Sequence, residues 1–293
     1  MTRRVPPPLS WFRRLRYAVE TVAVYLIYGF FRLLPLKAAS ALGGCLMRSV
    51  GPFMGISRVA RQNLEASFPE KSALEREKIV KGMWENLGRT VGEYPHLRRI
   101  WDRIEVTAPH YIEAKDSGKA AIFFSGHLAN WEIAGVCAKR MGLEMHTVYR
   151  KPNNPWVDGL LRYARTPCTS GHIRKGRSGA REILSVLKRD KALGMLVDQK
   201  LNEGVPVPFF GRDAMTADAI AQFALRLGCP VYPVRLERLE GGSLRLTTLP
   251  PLAVKRTDDH AADVKSLLVQ VNGLLESWIR ERPEQWLWIH RRW

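Results

Sequence analysis

The chain has 293 residues, 46% of them hydrophobic and 25% charged, proportions that exclude an intrinsically disordered chain and leave room for one large α/β domain with attachments or for two small domains. The net charge of +18 is far from neutral and attracts anionic partners: nucleic acid, acidic lipid headgroups, phosphorylated substrates or an acidic protein. The four cysteines, Cys45, Cys137, Cys168 and Cys229, show no C-x-x-C spacing, which argues against a metal knuckle and suits scattered thiols in a reducing compartment.

The N-terminus reads as a membrane contact. Arg3, Arg4, Arg13, Arg14 and Arg16 precede the apolar stretch Tyr17–Leu34, which Glu20 and Arg32 interrupt near its ends. A bilayer span needs about 20 apolar residues, so this stretch is marginal as a span and suits a tilted or interfacial helix with a basic collar. No small-residue cleavage pattern follows it. The positive-inside rule keeps the N-terminus cytoplasmic, and unpaired cysteines fit poorly with export. The expectation is a helix that dips into the membrane from the cytoplasmic side, with the body in the cytoplasm. Residues 1–36 then form an anchor and 37–293 the body, divided into a helical part, 37–102, and an α/β core, 103–293.

Helix-spaced apolar residues predict helices over Lys37–Val50 and Ser57–Ser67. A capping box at Ser72 and Glu75 opens a third helix, which runs to about Glu93. From residue 103 the pattern alternates. Strands are predicted at Ala120–Phe124, Met145–Tyr149, Ala192–Val197, Val231–Leu236 and Leu244–Thr248, the last two pairing as a hairpin across Gly241-Gly242. Helices are predicted at Asn130–Met141, Pro155–Ala164, Arg177–Lys188, Ala217–Leu227 and His260–Arg280. The fold class is α/β: a largely parallel central sheet with helices on both faces, preceded by the membrane-associated helix and a helical region.

The sharpest feature is Ser125-Gly126-His127-Leu128-Ala129-Asn130-Trp131-Glu132. A buried strand ends, Gly126 allows a tight turn, and His127 then stands at the carboxyl end of the strand, where open α/β sheets bind ligands. Glu132, placed in the first turn of the following helix, can fold back toward the imidazole. A carboxylate on one ring nitrogen fixes the tautomer and makes the other nitrogen a better base. That nitrogen can take a proton from an attacking hydroxyl. A bare H-x4-E is more often a helix cap, so the strand–glycine–histidine context carries the reading. No G-x-S-x-G elbow supplies a nucleophilic serine, and Cys137 falls in mid-helix. Direct attack on a thioester by an acceptor hydroxyl is the simpler scheme. Arg150, Arg174, Lys175 and Arg177 form a basic group beside this unit, with Arg177 at a helix start, suited to phosphates. Asp198-Gln199 ends an apolar strand at the same sheet edge as His127. There Asp198 can orient an arginine or an acceptor hydroxyl, or can simply turn the chain. The C-terminal Trp286, Trp288, Trp293, His290, Arg291 and Arg292 mix aromatics with cations in the manner of a membrane interface. His290, flanked by Ile289 and Arg291, is expected to pack against the domain rather than to serve as a second base. No nucleic-acid-binding signature appears.

Gly126–Glu132 resembles the H-x4-D/E motif of glycerolipid acyltransferases. Its surroundings, Ser125 through Ile133, resemble those of the lipid A late acyltransferases, the lauroyl and myristoyl transferases of Gram-negative envelopes. The resemblance covers nearly the whole chain. It takes in Arg61-Gln62-Asn63-Leu64 with Phe68-Pro69, Val148-Tyr149-Arg150 with Pro152-Asn153-Asn154-Pro155, Val197-Asp198-Gln199 with Pro206 to Gly211, and Pro283 to Arg292. It implies transfer of a fatty acyl chain, lauroyl or similar, from acyl carrier protein to a hydroxyl of a phosphorylated glycolipid at the cytoplasmic face of the bacterial inner membrane. His127 would be the general base and Glu132 its orienter. Asn130, Arg150, Asn153, Arg174, Arg177, Asp198 and Gln199 are the candidate substrate-binding residues. No metal or redox cofactor is implied; acyl carrier protein or acyl-CoA enters as donor substrate. An acyl-CoA enzyme acting on another membrane lipid, and a basic membrane-binding protein without chemistry, remain the alternatives.

Overall fold

The computed structural model describes residues 10–293, so Arg3 and Arg4 of the basic collar lie outside the described residues. Four helices lead. α1 (Trp11–Leu33) stops before Pro35, which cannot donate a helical hydrogen bond. α2 (Leu36–Val50), α3 (Ser57–Ser67) and α4 (Ala73–Glu93) follow. The capping box forms: the Ser72 hydroxyl accepts from the Glu75 backbone N–H, and the Glu75 carboxylate accepts from the Ser72 N–H at 2.8 Å. α2 and α4 pack backbone to backbone, because a Cβ on Gly88 would collide with the carbonyl oxygen of Gly43.

Among the described residues, no helix is long and apolar enough to cross a membrane. α1 buries only Tyr17 and Phe31. It is tied down where the His96 ring nitrogen donates to the Phe31 carbonyl at 2.8 Å and the Asn154 amide donates to the Tyr17 carbonyl at 2.9 Å. Trp11, Phe12, Leu15, Val19, Leu26 and Leu33 stay exposed along it.

The α/β core follows in order: β1 (Ile104–Thr107), α5 (Pro109–Ser117), β2 (Ala121–Ser125), α6 (Ile133–Arg140), β3 (Met145–Tyr149), α7 (Pro155–Ala164), β4 (Gly171–Arg174), α8 (Arg177–Leu187) and β5 (Ala192–Leu196). A two-stranded antiparallel ribbon, β6 (Lys200–Phe209) with β7 (Arg212–Thr216), stands apart from the main sheet. Then come α9 (Ala219–Leu227), β8 (Val231–Arg238), β9 (Leu244–Thr248) and α10 (His260–Glu281). The seven-stranded sheet has the order β1-β9-β8-β2-β5-β3-β4. It is parallel except at the β8–β9 hairpin, which reverses the direction of β9 and of β1 beside it. Right-handed crossovers place α6 and α7 on one face and α8 and α9 on the other, and α5 packs on the α6 side, where the Tyr111 hydroxyl donates to the Ala134 carbonyl at 3.2 Å. The α/β class with a largely parallel sheet is thus observed.

Several elements depart from expectation: β1, α5 and β4 are not among the predicted strands and helices. The ribbon β6–β7 is unforeseen because Gly204, Pro206 and Pro208 and the charges of its strands read as loop. The helix expected from Asn130 begins only at Ile133. The preceding residues are held out of helical geometry: Ala129 sits at φ +48°, its N–H bonds the Gln285 carbonyl, and its own carbonyl accepts from the Asn86 amide at 3.0 Å.

Candidate active site

β2 and β5 lie side by side in register, with Ser125 opposite Leu196. The residues just beyond their carboxyl ends therefore meet. His127 donates from Nδ1 to Asp198 Oδ1 at 2.8 Å, and the His127 backbone N–H donates to Oδ2 at 2.7 Å. Trp286 Nε1 adds a third donor to Oδ2 at 2.8 Å. Asp198 is fully buried. A buried carboxylate needs such partners to remain ionised. Burial by itself raises its pKa. The positive charge and side-chain hydrogen bond of His127, the nearby His290 and the His127 backbone N–H together outweigh burial and hold the carboxyl far below its usual range. Gly126 leaves room here rather than serving an unusual φ, since a Cβ would stand 3.2 Å from Asp198 Oδ2, closer than ordinary contact.

Because a carboxylate only accepts, the proton of neutral His127 sits on Nδ1 and the lone pair on Nε2. Nε2 bonds no group among the described residues, and the side chain lines a cavity of about 470 Å³. The ring is wedged edge-to-face between Trp131 and His290, each at 5.1 Å between centroids. His290 packs against the site, and its pKa is pushed down to about 4, by burial first and then by the charge on His127.

The carboxylate on the imidazole is thus Asp198, not Glu132 as the spacing suggests. Glu132 occupies the N-cap position of α6, not its first turn. Its two oxygens accept from Arg165, through Nε at 3.0 Å and Nη2 at 2.5 Å. With Nδ1 already taken by Asp198, a cation is the partner left for Glu132. Burial lowers the Arg165 pKa, but the charges of Glu132 and Tyr94 and the hydrogen bond to Glu132 raise it further, so the guanidinium is held charged. Both residues line the cavity. Nothing in the local sequence marked Arg165, which arrives from beyond the end of α7.

The other candidates divide. Arg150, Arg174, Lys175 and Gln199 line the cavity, the three cations at its exposed edge. Burial, and then Arg150, lowers the Lys175 pKa. Arg177 opens α8, and its side chain lies outside the described ones. Asn130 faces the scaffold rather than the cavity. It is fully buried, its amide donates to Glu93 at 2.9 Å, and its oxygen accepts from the Glu132 N–H at 3.2 Å. Asn153 is exposed and does not line the cavity; its neighbour Asn154 caps α7 instead.

The C-terminal segment is also corrected. Trp286, Trp288 and Arg292 are fully buried, so they form no membrane belt. Arg292 donates to the Met215 carbonyl and the Thr216 hydroxyl and lies 5.1 Å over the Phe209 ring. These tryptophans pack with Phe209 and Phe210 and present Trp286 Nε1 to Asp198.

A carboxylate-oriented histidine at the carboxyl edge of an α/β sheet, beside an apolar cavity rimmed by cations, suits proton transfer on a substrate that is part apolar and part anionic. A family model, bacterial lipid A biosynthesis acyltransferase, matches residues 9–293, and the chain belongs to that family. It is 28% identical over 273 residues to the lipid A biosynthesis palmitoleoyltransferase of Escherichia coli (strain K12), covering 88% of this chain and 86% of that one. It is 27% identical over 249 residues to the lauroyltransferase of the same organism, covering 80% and 78%. To the myristoyltransferase of that organism it is 25% identical over 295 residues, covering 95% and 87%. These relatives are named for three different acyl chains, so membership of the family leaves the chain length open.

Proposed function

We propose that this protein transfers a fatty acyl chain from acyl carrier protein to a hydroxyl of a phosphorylated lipid A precursor, with His127 as general base and Asp198 as its orienter. The observation that carries this is the His127–Asp198 bond, which leaves Nε2 as a lone pair beside an apolar cavity. The acceptor O–H gives its proton to Nε2 as its oxygen attacks the thioester carbonyl. The tetrahedral oxyanion collapses, the C–S bond breaks, and the imidazolium returns its proton to the thiolate. The products are an ester and a free thiol, with no covalent enzyme intermediate. Glu132 occupies Nε and Nη2 of Arg165 and so holds that guanidinium at the cavity wall, with Nη1 left to stabilise the oxyanion.

Arg150, Arg174 and Lys175 supply positive charge for the phosphates of the acceptor or of the carrier's pantetheine arm. The +18 charge suits an acidic carrier protein and anionic lipid. The unpartnered apolar face of α1 suits insertion into one leaflet, with the catalytic body at the cytoplasmic face of the inner membrane.

The test combines an acyl-carrier-protein assay on purified protein with mass spectrometry of lipid A from cells lacking it. Loss of one secondary acyl chain, restored by the wild type and not by His127→Ala, is expected. Restoration by His127→Ala, or a requirement for acyl-CoA, refutes the corresponding part of the reading.

A further inference from the structure

β2 has a neighbour on each side, and both run parallel to it. β5 brings Asp198 to His127 just beyond the carboxyl edge. β8 brings a second charged group past the same edge. Pro233 lies opposite Phe124, so Arg238, which ends β8, stands further along, beside the loop that joins His127 to Glu132. Arg238 is buried and does not line the cavity. Its Nη1 and Nη2 donate to the two oxygens of Glu93 at 2.5 and 3.0 Å. Its Nε donates to Asn86 Oδ1 at 2.8 Å, and Nη2 also reaches the Thr90 hydroxyl at 3.4 Å. Asn86, Thr90 and Glu93 are spaced i, i+4, i+7 and form one buried face of α4.

That face holds the loop. The Ala129 carbonyl accepts from the Asn86 amide at 3.0 Å and from the Thr90 hydroxyl at 3.2 Å, which it shares with the Asn86 carbonyl at 3.0 Å. Glu93 Oε2 accepts from the Asn130 amide at 2.9 Å, and the Asn130 oxygen accepts from the Glu132 N–H at 3.2 Å. Gln285, whose carbonyl accepts from the Ala129 N–H, is clamped in turn to the Arg238 backbone by two hydrogen bonds of 2.7 Å. A buried ion pair contributes little net stability, because desolvation offsets most of its attraction. What a satisfied buried network supplies is one geometry. Ala129, at φ +48°, needs that: such a conformation persists in a residue with a Cβ only where its surroundings over-determine it.

We propose that Arg238 and Glu93 are positioning residues for the reaction: through Asn86, Thr90 and Asn130 they hold the left-handed turn at Ala129 and so fix Glu132, with its Arg165, relative to His127. This rests on the acyl-transfer reading above. His127 is anchored from the β5 side by Asp198, and Glu132 from the β8 side by this network. The loop between them is left with one conformation. Neither Arg238 nor Glu93 touches substrate; both act through the loop, and small displacements of reacting groups cost large factors in rate.

The test uses the full chain in detergent micelles, with an acyl carrier protein donor and a lipid A precursor as acceptor. Assays run at a temperature where thermal unfolding shows each variant fully folded. Arg238→Lys keeps a positive charge against Glu93 but gives up the fork that also reaches Asn86. It should lower kcat about tenfold or more and leave both KM values within about twofold. Thr90→Val removes one hydroxyl and should lower kcat about threefold; Thr90→Ser, which keeps the hydroxyl, should regain it. A merely structural role would lower the melting temperature and leave kcat of the folded protein unchanged. That result, or raised KM at unchanged kcat, overturns the inference. Should Arg238→Lys fail to fold, the Thr90 pair decides the matter alone. Crystals of Arg238→Lys and Thr90→Val give a readout independent of turnover: in at least one, Ala129 should leave φ +48° and the Arg165–Glu132 pair should move relative to His127. An unchanged loop in both overturns the inference. A wild-type protein that transfers nothing would refute the function, while the loop geometry would still judge the network.

Discussion

Replacing Asp198 with Asn leaves the volume of the side chain unchanged and alters only its hydrogen-bonding capacity. Three donors converge on its two oxygens: His127 Nδ1, the His127 backbone N–H and Trp286 Nε1, at 2.8, 2.7 and 2.8 Å. An amide offers one acceptor oxygen and one donor nitrogen. Two of the three donors share Oδ2, so the amide oxygen takes that place and its NH₂ faces Nδ1. Nδ1 must then accept, which moves the ring proton to Nε2 and removes the lone pair that takes the acceptor's proton. Loss of a general base costs about 10²–10⁴-fold, and the same carboxylate-to-amide change in Ser-His-Asp sites costs about 10⁴-fold. For Asp198→Asn we expect kcat to fall about 10³-fold, with acceptor KM changed little and a stability cost of about 1–3 kcal/mol for the imperfect pairing. Steady-state acyl transfer, with thermal unfolding as the control for folding, measures both. A folded variant within about threefold of wild-type kcat would mean that His127 is not the base, since so small a change falls below the range for a lost base.

Glu132→Ala strands the Arg165 guanidinium, one-fifth exposed, without its carboxylate. It should cost about 3 kcal/mol in urea unfolding, and Arg165→Met in the same background should recover part of that. Of the four thiols only Cys45 is exposed, and burial pushes Cys137 up to about 12. A thiol reagent should therefore titrate one cysteine in the native protein and four in denaturant; prompt loss of more than one refutes this packing. On acidification from pH 6.5 to 4, the unfolded chain protonates His290 while the folded chain, with this group at about 4, does not. Stability should thus fall as pH drops through that window, by about 3 kcal/mol at most, and His290→Phe should flatten the dependence. Asp198 adds a loss at lower pH. Its folded pKa is depressed, so its contribution is present above the ordinary carboxylate pKa of about 3.9 and is lost as pH falls below it. Equal pH slopes for wild type and His290→Phe would contradict the first assignment.

Periodicity and punctuation determined most of the architecture. The helices over Lys37–Val50, Ser57–Ser67 and Pro155–Ala164 and the strands at Met145–Tyr149 and Leu244–Thr248 were legible because their apolar spacing and their caps are local properties. His127 was legible because a strand, a glycine and a helix start place it at a sheet edge whatever its neighbours in space. Its partner was not. Glu132 is five residues away and Asp198 is 71, and sequence distance favours the wrong carboxylate. The parallel register of β2 beside β5 decides otherwise by bringing Ser125 opposite Leu196. The same holds for Arg165 on Glu132, Trp286 on Asp198 and the burial of Arg292. Each depends on which chain segments pack together, and a mixture of aromatics and cations reads the same whether it meets lipid or a protein core. Local hydrogen bonding and side-chain period are written residue by residue along the chain. The pairing of charges across strands follows from topology, and only the tertiary structure supplies that.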